Sequence, residues 1–456
     1  MPAKIHTLRY LLLPGLVCLC ACSTLQDVSY WDDDPPKPTV TTTQGRLSPQ
    51  AAHSLLLRHW KNSYADTQAL AATEELATSQ PLIAGNQVTL LYDGPQTVAA
   101  MKRAIAAAKN HINLETYIFD EDAVGTPMAE LLMERQRAGV QVHILYDAVG
   151  TLATPQAFFE RMREAGIHLL AFNPVNPFQA LGPWELNQRD HRKLLVVDGR
   201  VAFTGGVNIS SSYANSSLFR ARSSRQSKVG WRDTHVQIEG PAVTALQWEF
   251  LNHWANQQTA PLSDSDFFPP PQVAGNTLLR VLASEPDGDQ EIYRAYLLAI
   301  RSAKRTVHIT AAYFAPDAHI LRALQDAARR GVEVTLILPA VPESKLVFYA
   351  GHALYRALLE SGIHLYQLQV AVLHAKTAVM DSVWSTVGSA NMDTRSFLHN
   401  HELNVMVFDD AFGLAMESAF QEDLRLSTPV TLEQWEQRPF SERVKEWFAS
   451  RIAYWL

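Results

Sequence analysis

The apolar residues of the chain recur in two series of helix-like and strand-like patterns. Strand patterns at 112–119 and 141–146 alternate with helical patterns in the first series, and strand patterns at 307–314 and 333–338 do so in the second. Strands that alternate with helices of this length are typical of βαβ units. Because the two series follow the same order, they predict an α/β fold of two similar lobes. Each lobe is expected to be a mostly parallel or mixed sheet flanked by helices.

Polar and proline-rich stretches divide the chain into segments. Residues 23–45 lack apolar periodicity and contain Asp32–Pro36, so they are expected to form a flexible tether. A second break at 261–276 carries three consecutive prolines, Pro269–Pro271, and is interpreted as a linker between lobes. The boundaries that follow are a first lobe at 46–260, a second lobe at 277–430 and a C-terminal amphipathic segment at 431–456.

Residues 1–22 have the pattern of an export signal. Lys4 and Arg9 precede an apolar stretch at 11–19, which is short for a membrane span. The tetrapeptide that ends at Cys22 resembles the bacterial lipobox, which implies that Cys22 is lipidated and anchors the protein to a membrane. Ser23 after it resembles the signals of outer-membrane lipoproteins. An ordinary secretory signal and an uncleaved anchor are the alternatives.

A sparse set of polar residues occurs twice with the same internal spacing. Every member of the first set is separated from its counterpart by the same interval: His191, Lys193, Asp198, Gly205 and Asn208 correspond to His374, Lys376, Asp381, Gly388 and Asn391. An apolar run, Leu194–Val197, follows the first pair and predicts a buried strand. His and Lys two residues apart at its entrance point to the same side. The duplication therefore predicts one shared site at the lobe interface.

The residue types of this set suit phosphodiester chemistry. Cations and amide donors stabilise the non-bridging oxygens, a role expected of Lys193, Lys376, Asn208 and Asn391. A neutral imidazole can attack phosphorus, while a second, protonated imidazole gives its proton to the departing alkoxide. Two histidines, one from each lobe, are sufficient for this reaction.

The two motifs resemble those of the HKD, or phospholipase D, superfamily and, within it, bacterial cardiolipin synthases. The resemblance covers roughly residues 85–430 and is carried by His191–Gly199, Thr204–Ile209, Trp231–Val236 and Gly388–Asp393. It implies catalytic motifs made of His191, Lys193 and Asp198 and of His374, Lys376 and Asp381. It also implies that His191 is the nucleophile and His374 the acid and base, although the near symmetry leaves the reverse assignment open.

Two further carboxylates resemble residues that orient the histidines of this superfamily. The resemblance implies that Asp233 holds the first histidine and Glu402 the second. Asp198 and Asp381 are expected to fix local turns. We expect neither a metal nor a cofactor, because His399, His401 and Glu402 alone lack the closed ligand set of a structural zinc site.

The resemblance implies phosphatidyl transfer that yields cardiolipin from phospholipid substrates through a phosphohistidine. Hydrolysis by a phospholipase D, cleavage of nucleic acid by a secreted nuclease, and a catalytically idle lipoprotein are the alternatives. The net charge of −7 and a pI near 6.1 disfavour a nucleic-acid partner. A monomer of two lobes is expected, facing the periplasm from its anchor.

Two segments are open to two interpretations each. Ser210–Lys228 is a solvated loop or a cationic flap that meets lipid headgroups. The aromatic residues of 431–456 form a membrane-surface helix or a helix that covers the second lobe, and packing is favoured because aromatic stripes more often belong to a core.

Overall fold

The computed structural model describes residues 25, 37–61, 66–176, 185, 187–213, 230–257, 262, 266–286 and 288–452. Residues 1–22, predicted to be an export signal, and most of the Ser210–Lys228 insertion lie outside these residues. Within the described ranges, no helix has the length and apolar character needed to cross a bilayer.

The first lobe is built on a mixed sheet of seven strands. Two short strands and two helices precede it: β1 (Val40–Thr42), β2 (Gly45–Arg46), α1 (Pro49–His59) and α2 (Thr67–Thr78). The strands of the lobe, of which β7 and β10 lie outside the seven-stranded sheet, are β3 (Leu82–Leu91), β4 (His111–Thr116), β5 (Gln141–Asp147), β6 (His168–Phe172), β7 (Arg189–Asp190), β8 (Leu194–Val197), β9 (Val201–Gly205), β10 (Trp231–Arg232) and β11 (His235–Glu239). Its helices are α3 (Gly94–Ala107), α4 (Gly125–Arg137), α5 (Gln156–Glu164) and α6 (Ala242–Asn256). The sheet order is β6-β5-β4-β8-β9-β11-β3, with β4, β5 and β6 parallel and the other pairs antiparallel.

The second lobe repeats this arrangement. Its strands are β12 (Thr277–Ser284), β13 (Thr306–Ala311), β14 (Phe314–Ala315), β15 (Glu333–Pro339), β16 (His364–Leu368), β17 (Val372–Leu373), β18 (Lys376–Met380), β19 (Trp384–Gly388), β20 (Met392–Asp393), β21 (Asn400–Phe408) and β22 (Ser427–Val430). Its helices are α7 (Glu291–Ser302), α8 (Ala318–Arg329), α9 (Lys345–His352), α10 (Tyr355–Glu360), α11 (Thr394–Leu398) and α12 (Asp410–Arg425), followed by α13 (Leu432–Glu436) and α14 (Phe440–Arg451). The order β22-β16-β15-β13-β18-β19-β21-β12 again has parallel strands on one side only.

The two sheets are continuous, because β12 pairs antiparallel with β3. The predicted pair of lobes with mixed sheets is thus confirmed. The strand predicted at 112–119 ends earlier, at Thr116, and the one predicted at 307–314 ends at Ala311. In both lobes the chain turns there toward the interface.

The apolar run in β8 is continuous because both faces of the strand are covered. Leu195 and Val197 belong to a core shared with α3 and α4, whereas Leu194 and Val196 belong to a core that includes α6 and strands of the second lobe. Alternate residues of one strand therefore enter two cores. This double burial fixes the strand whose entrance carries His191 and Lys193.

The N-terminal boundaries differ from those expected. The tether predicted at 23–45 overlaps β1 and β2, and Val40 is buried where β1 pairs with β3. The first lobe was expected to begin at residue 46, but α1 and α2 pack on the second lobe. Glu74 of α2 accepts hydrogen bonds from Arg280 (2.8 Å) and from the Trp384 indole (2.6 Å). A buried ion pair with an indole donor explains this placement, which sequence order does not reveal.

Candidate active site

Two short pairs of parallel strands connect the lobes, one directly before each motif histidine. β7 runs parallel to the start of β21, and β10 runs parallel to β17. The amide of His191 donates to the carbonyl of His401 (3.0 Å), and the amide of His374 donates to the carbonyl of Arg232 (2.8 Å). Each histidine is therefore held by the backbone of the opposite lobe, just before a carboxylate residue.

The carboxylates orient the histidines in the opposite combination to the one predicted. His191 Nδ1 lies 3.1 Å from both carboxylate oxygens of Glu402, and His374 Nδ1 lies 2.7 Å from Asp233 Oδ2. The assignment of Asp233 to the first histidine and Glu402 to the second was wrong. The physical reason is the exchange of backbone hydrogen bonds, which places each carboxylate beside the imidazole of the other lobe. With Nδ1 engaged, Nε2 of each ring is left for chemistry.

Asp233 approaches its neighbours closely, and this approach requires a glycine. A Cβ atom at Gly206 would lie 2.0 Å from Asp233 Oδ1. Asp233 Oδ1 also accepts from the amide of Thr234 (2.8 Å). Gly206, the residue directly after β9, thus permits the position of Asp233 that orients the His374 imidazole.

Burial controls the protonation of these pairs. It lowers the pKa of His191 and, together with the Lys376 ammonium, lowers the pKa of His374 well below its ordinary value. Burial also raises the pKa of Asp233 to about 6. Burial acts to raise the pKa of Glu402, but His191, Lys193 and the Ser389 hydroxyl together outweigh it and the pKa is lowered. Burial therefore favours the neutral form of both imidazoles, and a bound phosphate would favour protonation of the ring that serves as the acid.

The motif lysines lie behind the histidines. Lys193 Nζ donates to the carbonyl of His191 (2.6 Å), and Lys376 Nζ donates to the carbonyl of His374 and lies 3.0 Å from its Nδ1. Burial lowers the pKa of Lys193 to about 7 and also lowers that of Lys376. An anion in the cavity would favour their charged forms, because its negative charge opposes the cost of burying an ammonium.

The two asparagines line the cavity but differ in their bonding. Asn208 Oδ1 accepts from the amide of Ile118 (3.1 Å), and its Nδ2 donates to the Tyr213 hydroxyl (2.8 Å). Asn391 Oδ1 is buried without a hydrogen-bond partner among the described residues. The second amide therefore has hydrogen-bonding capacity that the protein does not use.

Asp198 and Asp381 lie away from the cavity lining. Each accepts three backbone amide hydrogens: Asp198 from residues 109–111 and Asp381 from residues 304–306. Both adopt the left-handed region, with φ of 53° and 52°. They fix the turns after β8 and β18, as expected. The catalytic role that the resemblance implied for Asp198 and Asp381 is therefore corrected to a structural one.

The shared cavity contains about 460 Å³. Both histidines and both asparagines line it, which places His191 and His374 at one site. Sequence reasoning missed several lining residues: Tyr117, Arg189, Tyr313, Glu343 and Arg395. Tyr117 and Tyr313 follow corresponding strands of the two repeats, and this repetition was a usable signal. Glu343 follows β15 in a loop that carries no such signal.

A buried cluster with metal-ligating side chains lies outside the cavity lining. Ligand atoms of Glu115, Asp190 and His253 lie within 4.8 Å of one another. His253 Nδ1 is 2.7 Å from Glu115 Oε1, and the buried Arg192 guanidinium acts on both carboxylates. Burial and the Glu115 charge raise the pKa of Asp190 well above its ordinary value. Burial therefore favours a protonated Asp190, and the Arg192 cation compensates the charge of Glu115.

Two imidazoles from related lobes, each oriented by a carboxylate of the other lobe over one cavity, define a phosphodiester site of the phospholipase D type. A family profile described as "Cardiolipin synthase, PLD-like domain" matches residues 101–218 and 296–424. The chain therefore belongs to the cardiolipin synthase family of the phospholipase D superfamily.

Relatives agree with this membership, and a solved structure shares the fold. The chain is 37% identical over 372 residues to a cardiolipin synthase of Geobacillus kaustophilus, covering 80% of this chain and 72% of that protein. It is 34% identical over 367 residues to the major cardiolipin synthase of Bacillus subtilis, covering 79% and 73%. The fold is similar to that of phosphatidylserine synthase from Haemophilus influenzae, with a TM-score of 0.61 and 14% identity over 84% of this chain and 99% of that one.

Proposed function

We propose that the chain is a phosphatidyltransferase that forms cardiolipin and glycerol from two molecules of phosphatidylglycerol. The observation that carries the proposal is the pair of imidazoles on one cavity, each with Nδ1 held by a carboxylate. The names of the relatives give the lipid class. The acidic net charge of −7 disfavours a nucleic-acid substrate.

In the first step, Nε2 of His191 attacks the phosphorus of the donor lipid. The bond from phosphorus to the glycerol oxygen breaks, a phosphorus–nitrogen bond forms, and His374 gives the proton that the alkoxide needs. Asn391 Oδ1, which has no partner among the described residues, lines the cavity and is placed to accept a hydrogen bond from a hydroxyl of the headgroup. The buried lysines counter the phosphate charge.

One contact breaks the symmetry between the histidines and supports this assignment of roles. Glu343 Oε2 lies 3.8 Å from Nε2 of His374 and accepts a hydrogen bond from the Tyr313 hydroxyl (2.7 Å). An anion beside Nε2 favours the protonated ring, which is the form that an acid requires. Among the described residues, His191 has no carboxylate partner at its Nε2.

In the second step, a hydroxyl of the acceptor phosphatidylglycerol gives its proton to His374 and attacks the phosphohistidine. The phosphorus–nitrogen bond breaks and the neutral His191 is restored. The number of phosphodiester bonds is unchanged, so the reaction needs no nucleotide. Water in place of the acceptor would yield phosphatidic acid.

We also propose that the chain is anchored to a membrane of the bacterial envelope through lipidated Cys22 and faces the periplasm. The support is the resemblance of residues 19–22 to a lipobox, and Ser23 favours the outer membrane. Residues 23–39 would then separate the anchor from β1.

The proposed reaction is tested with purified full-length chain and phosphatidylglycerol vesicles, with lipids analysed by mass spectrometry and supercoiled plasmid incubated in parallel. We expect cardiolipin and glycerol in equal amounts. His191→Ala should lower the rate at least about a thousandfold and abolish acid-labile phosphate on the protein. His364→Ala, which changes an exposed histidine on β16, is the control and should retain full activity.

Three outcomes contradict the proposal. Phosphatidic acid as the main product would make the chain a hydrolase, and nicked plasmid without lipid turnover would make it a nuclease. Turnover by His191→Ala at the wild-type rate would exclude the phosphohistidine.

A further inference from the structure

The last helix of the chain exposes an apolar stripe. The exposed fractions of Phe440, Val444, Trp447 and Phe448 are 77%, 47%, 60% and 60%. At about 100° per residue these four side chains occupy an arc of roughly 100° on one side of α14. Single exposed apolar residues are ordinary, but four on one helix face form a patch that requires explanation.

The opposite side of α14 is fixed to the second lobe. Glu446 and Ala449 are buried, and Glu446 accepts from Arg438 at 2.8 to 3.1 Å. Lys445 Nζ contacts the Tyr349 hydroxyl of α9 at 3.2 Å. The helix is therefore held in place with its apolar stripe outward. The expectation that the aromatic residues of this segment cover the second lobe holds for Trp435, which is buried, and fails for the stripe.

Basic residues border the stripe. Arg443 and Lys445 are exposed on either side of it, and the Arg451 guanidinium lies 5.4 Å from the Trp447 ring centre near its end. Tryptophan and phenylalanine on one face with flanking Lys and Arg are characteristic of helices that lie in the interface of an anionic bilayer. Lys445 is paired with Glu442 (2.7 Å), so Arg443 and Arg451 carry the positive charge at the border, and this charge suits phosphate headgroups and would not favour a basic partner surface.

The stripe is close to the candidate active site in the fold. Helix α9, on which α14 packs, supplies Val347 to the cavity lining, and Glu343 lies two residues before its first residue. Val175, 48% exposed, lines the same cavity from the first lobe. Helix α9 thus links the α14 stripe to the lining of the cavity, which also includes the exposed apolar side chain of Val175.

We propose that the stripe of Phe440, Val444, Trp447 and Phe448 inserts into the surface of an anionic bilayer and holds the cavity at the lipid headgroups. This inference rests on the proposed function only in taking a bilayer lipid as substrate. It assigns α14 a docking role that is separate from any acyl anchor at the N-terminus. Because α14 is fixed to α9, its insertion would set the orientation of the cavity toward the membrane. The N-terminal tether would limit only the distance of the cavity from the membrane.

Docking is measured on the full-length chain with Cys18, Cys20 and Cys22 changed to Ser, which also removes the proposed acyl anchor. In this chain, an environment-sensitive dye is attached to the cysteine of Phe448→Cys. The matched control carries the same dye on Arg329→Cys, at the exposed end of α8. With phosphatidylglycerol vesicles we expect a blue shift of the dye at 448 and its quenching by brominated acyl chains, and neither at 329. The shift should be smaller with phosphatidylcholine.

Two results of the dye measurement overturn the proposal. One is an unchanged emission at 448 when vesicles are added. The other is a blue shift that occurs without vesicles and grows with protein concentration, because it would place the stripe between two copies of the chain.

Turnover separates docking from chemistry. Trp447→Ser/Phe448→Ser should lower the rate on phosphatidylglycerol vesicles at least about tenfold and leave the rate on monomeric short-chain phosphatidylglycerol unchanged. Leu57→Ser/Leu414→Ser removes exposed apolar residues elsewhere and should change neither rate. A stripe variant that loses the same fraction of the wild-type rate on both substrates would contradict docking. If the wild-type chain converts neither substrate, the proposed function fails, and the dye alone decides the docking.

Discussion

At the scale of single residues, Glu343 distinguishes two otherwise similar halves of the site. Burial acts to raise the pKa of Glu343, but the nearby His374 and the Tyr313 hydroxyl lower it, so the side chain is an anion at neutral pH. It is the group that acts to raise the pKa of His374 against burial and Lys376. The Glu343 carboxylate therefore raises the pKa of the proton donor, His374, although its negative charge also repels the phosphate of the substrate.

Glu343→Gln tests this adjustment. Loss of a charge 3.8 Å from Nε2 lowers the pKa of His374, so the protonated acid is lost at lower pH. We expect the alkaline limb of the kcat/KM profile to move to lower pH by at least about one unit, since a charge at this distance is worth several kcal/mol at a protein surface. The readout is the pH profile on phosphatidylglycerol. A limb that stays in place would remove Glu343 from control of His374.

At the scale of elements, a buried ion pair adds to the β10–β17 pairing in attaching the segment that carries Asp233 to the other lobe. Arg232 Nε and Nη2 donate to the Asp423 carboxylate of α12 at 2.7 and 2.8 Å, and its Nη1 donates to the carbonyls of Tyr92 and Asp233 (both 2.6 Å). The pair joins β10 to α12 directly beside the carboxylate that orients His374. Stability and orientation of the site therefore depend on the same contact.

Asp423→Asn should destabilise the protein by about 3–5 kcal/mol, because it leaves the Arg232 cation buried without its counter-charge. The measurement is urea unfolding followed by tryptophan fluorescence. Arg329→Met is the control: it breaks the exposed pair of Arg329 and Asp326 and should cost less than about 1 kcal/mol. Equal losses of unfolding free energy in the two variants would show that the buried pair stabilises the protein no more than the exposed pair does.

At the scale of the whole molecule, the two lobes act as one body. The sheets join at β3 and β12, α2 crosses to the second lobe, and each histidine is bonded to the lobe it does not belong to. Neither half contains a complete site. The orientation of this body toward a membrane is proposed to depend on its two ends, the anchor at Cys22 and the stripe on α14.

The anchor is tested by metabolic labelling with palmitate in a Gram-negative host. The wild-type chain should incorporate label, and Cys22→Ser should lose it, because the thiol of this residue receives the diacylglyceryl group. Cys20→Ser is the matched control and should retain the label. Absence of label in the wild-type chain would assign residues 1–22 to an ordinary signal or an uncleaved anchor, and label that persists in Cys22→Ser would place the acyl group on another residue.

The sequence by itself determined the two lobes, the strand entrances and the identity of the paired histidines, lysines and asparagines. These features are local, since periodicity fixes strand faces and a duplicated spacing fixes corresponding positions. Only the tertiary structure decided that Glu402 faces His191 and Asp233 faces His374, that Glu343 reaches Nε2 of His374, and that the α14 stripe is outward. Each depends on which backbone pairs across the interface or on what covers a helix, and an apolar stripe has the same spacing whether it is buried or exposed.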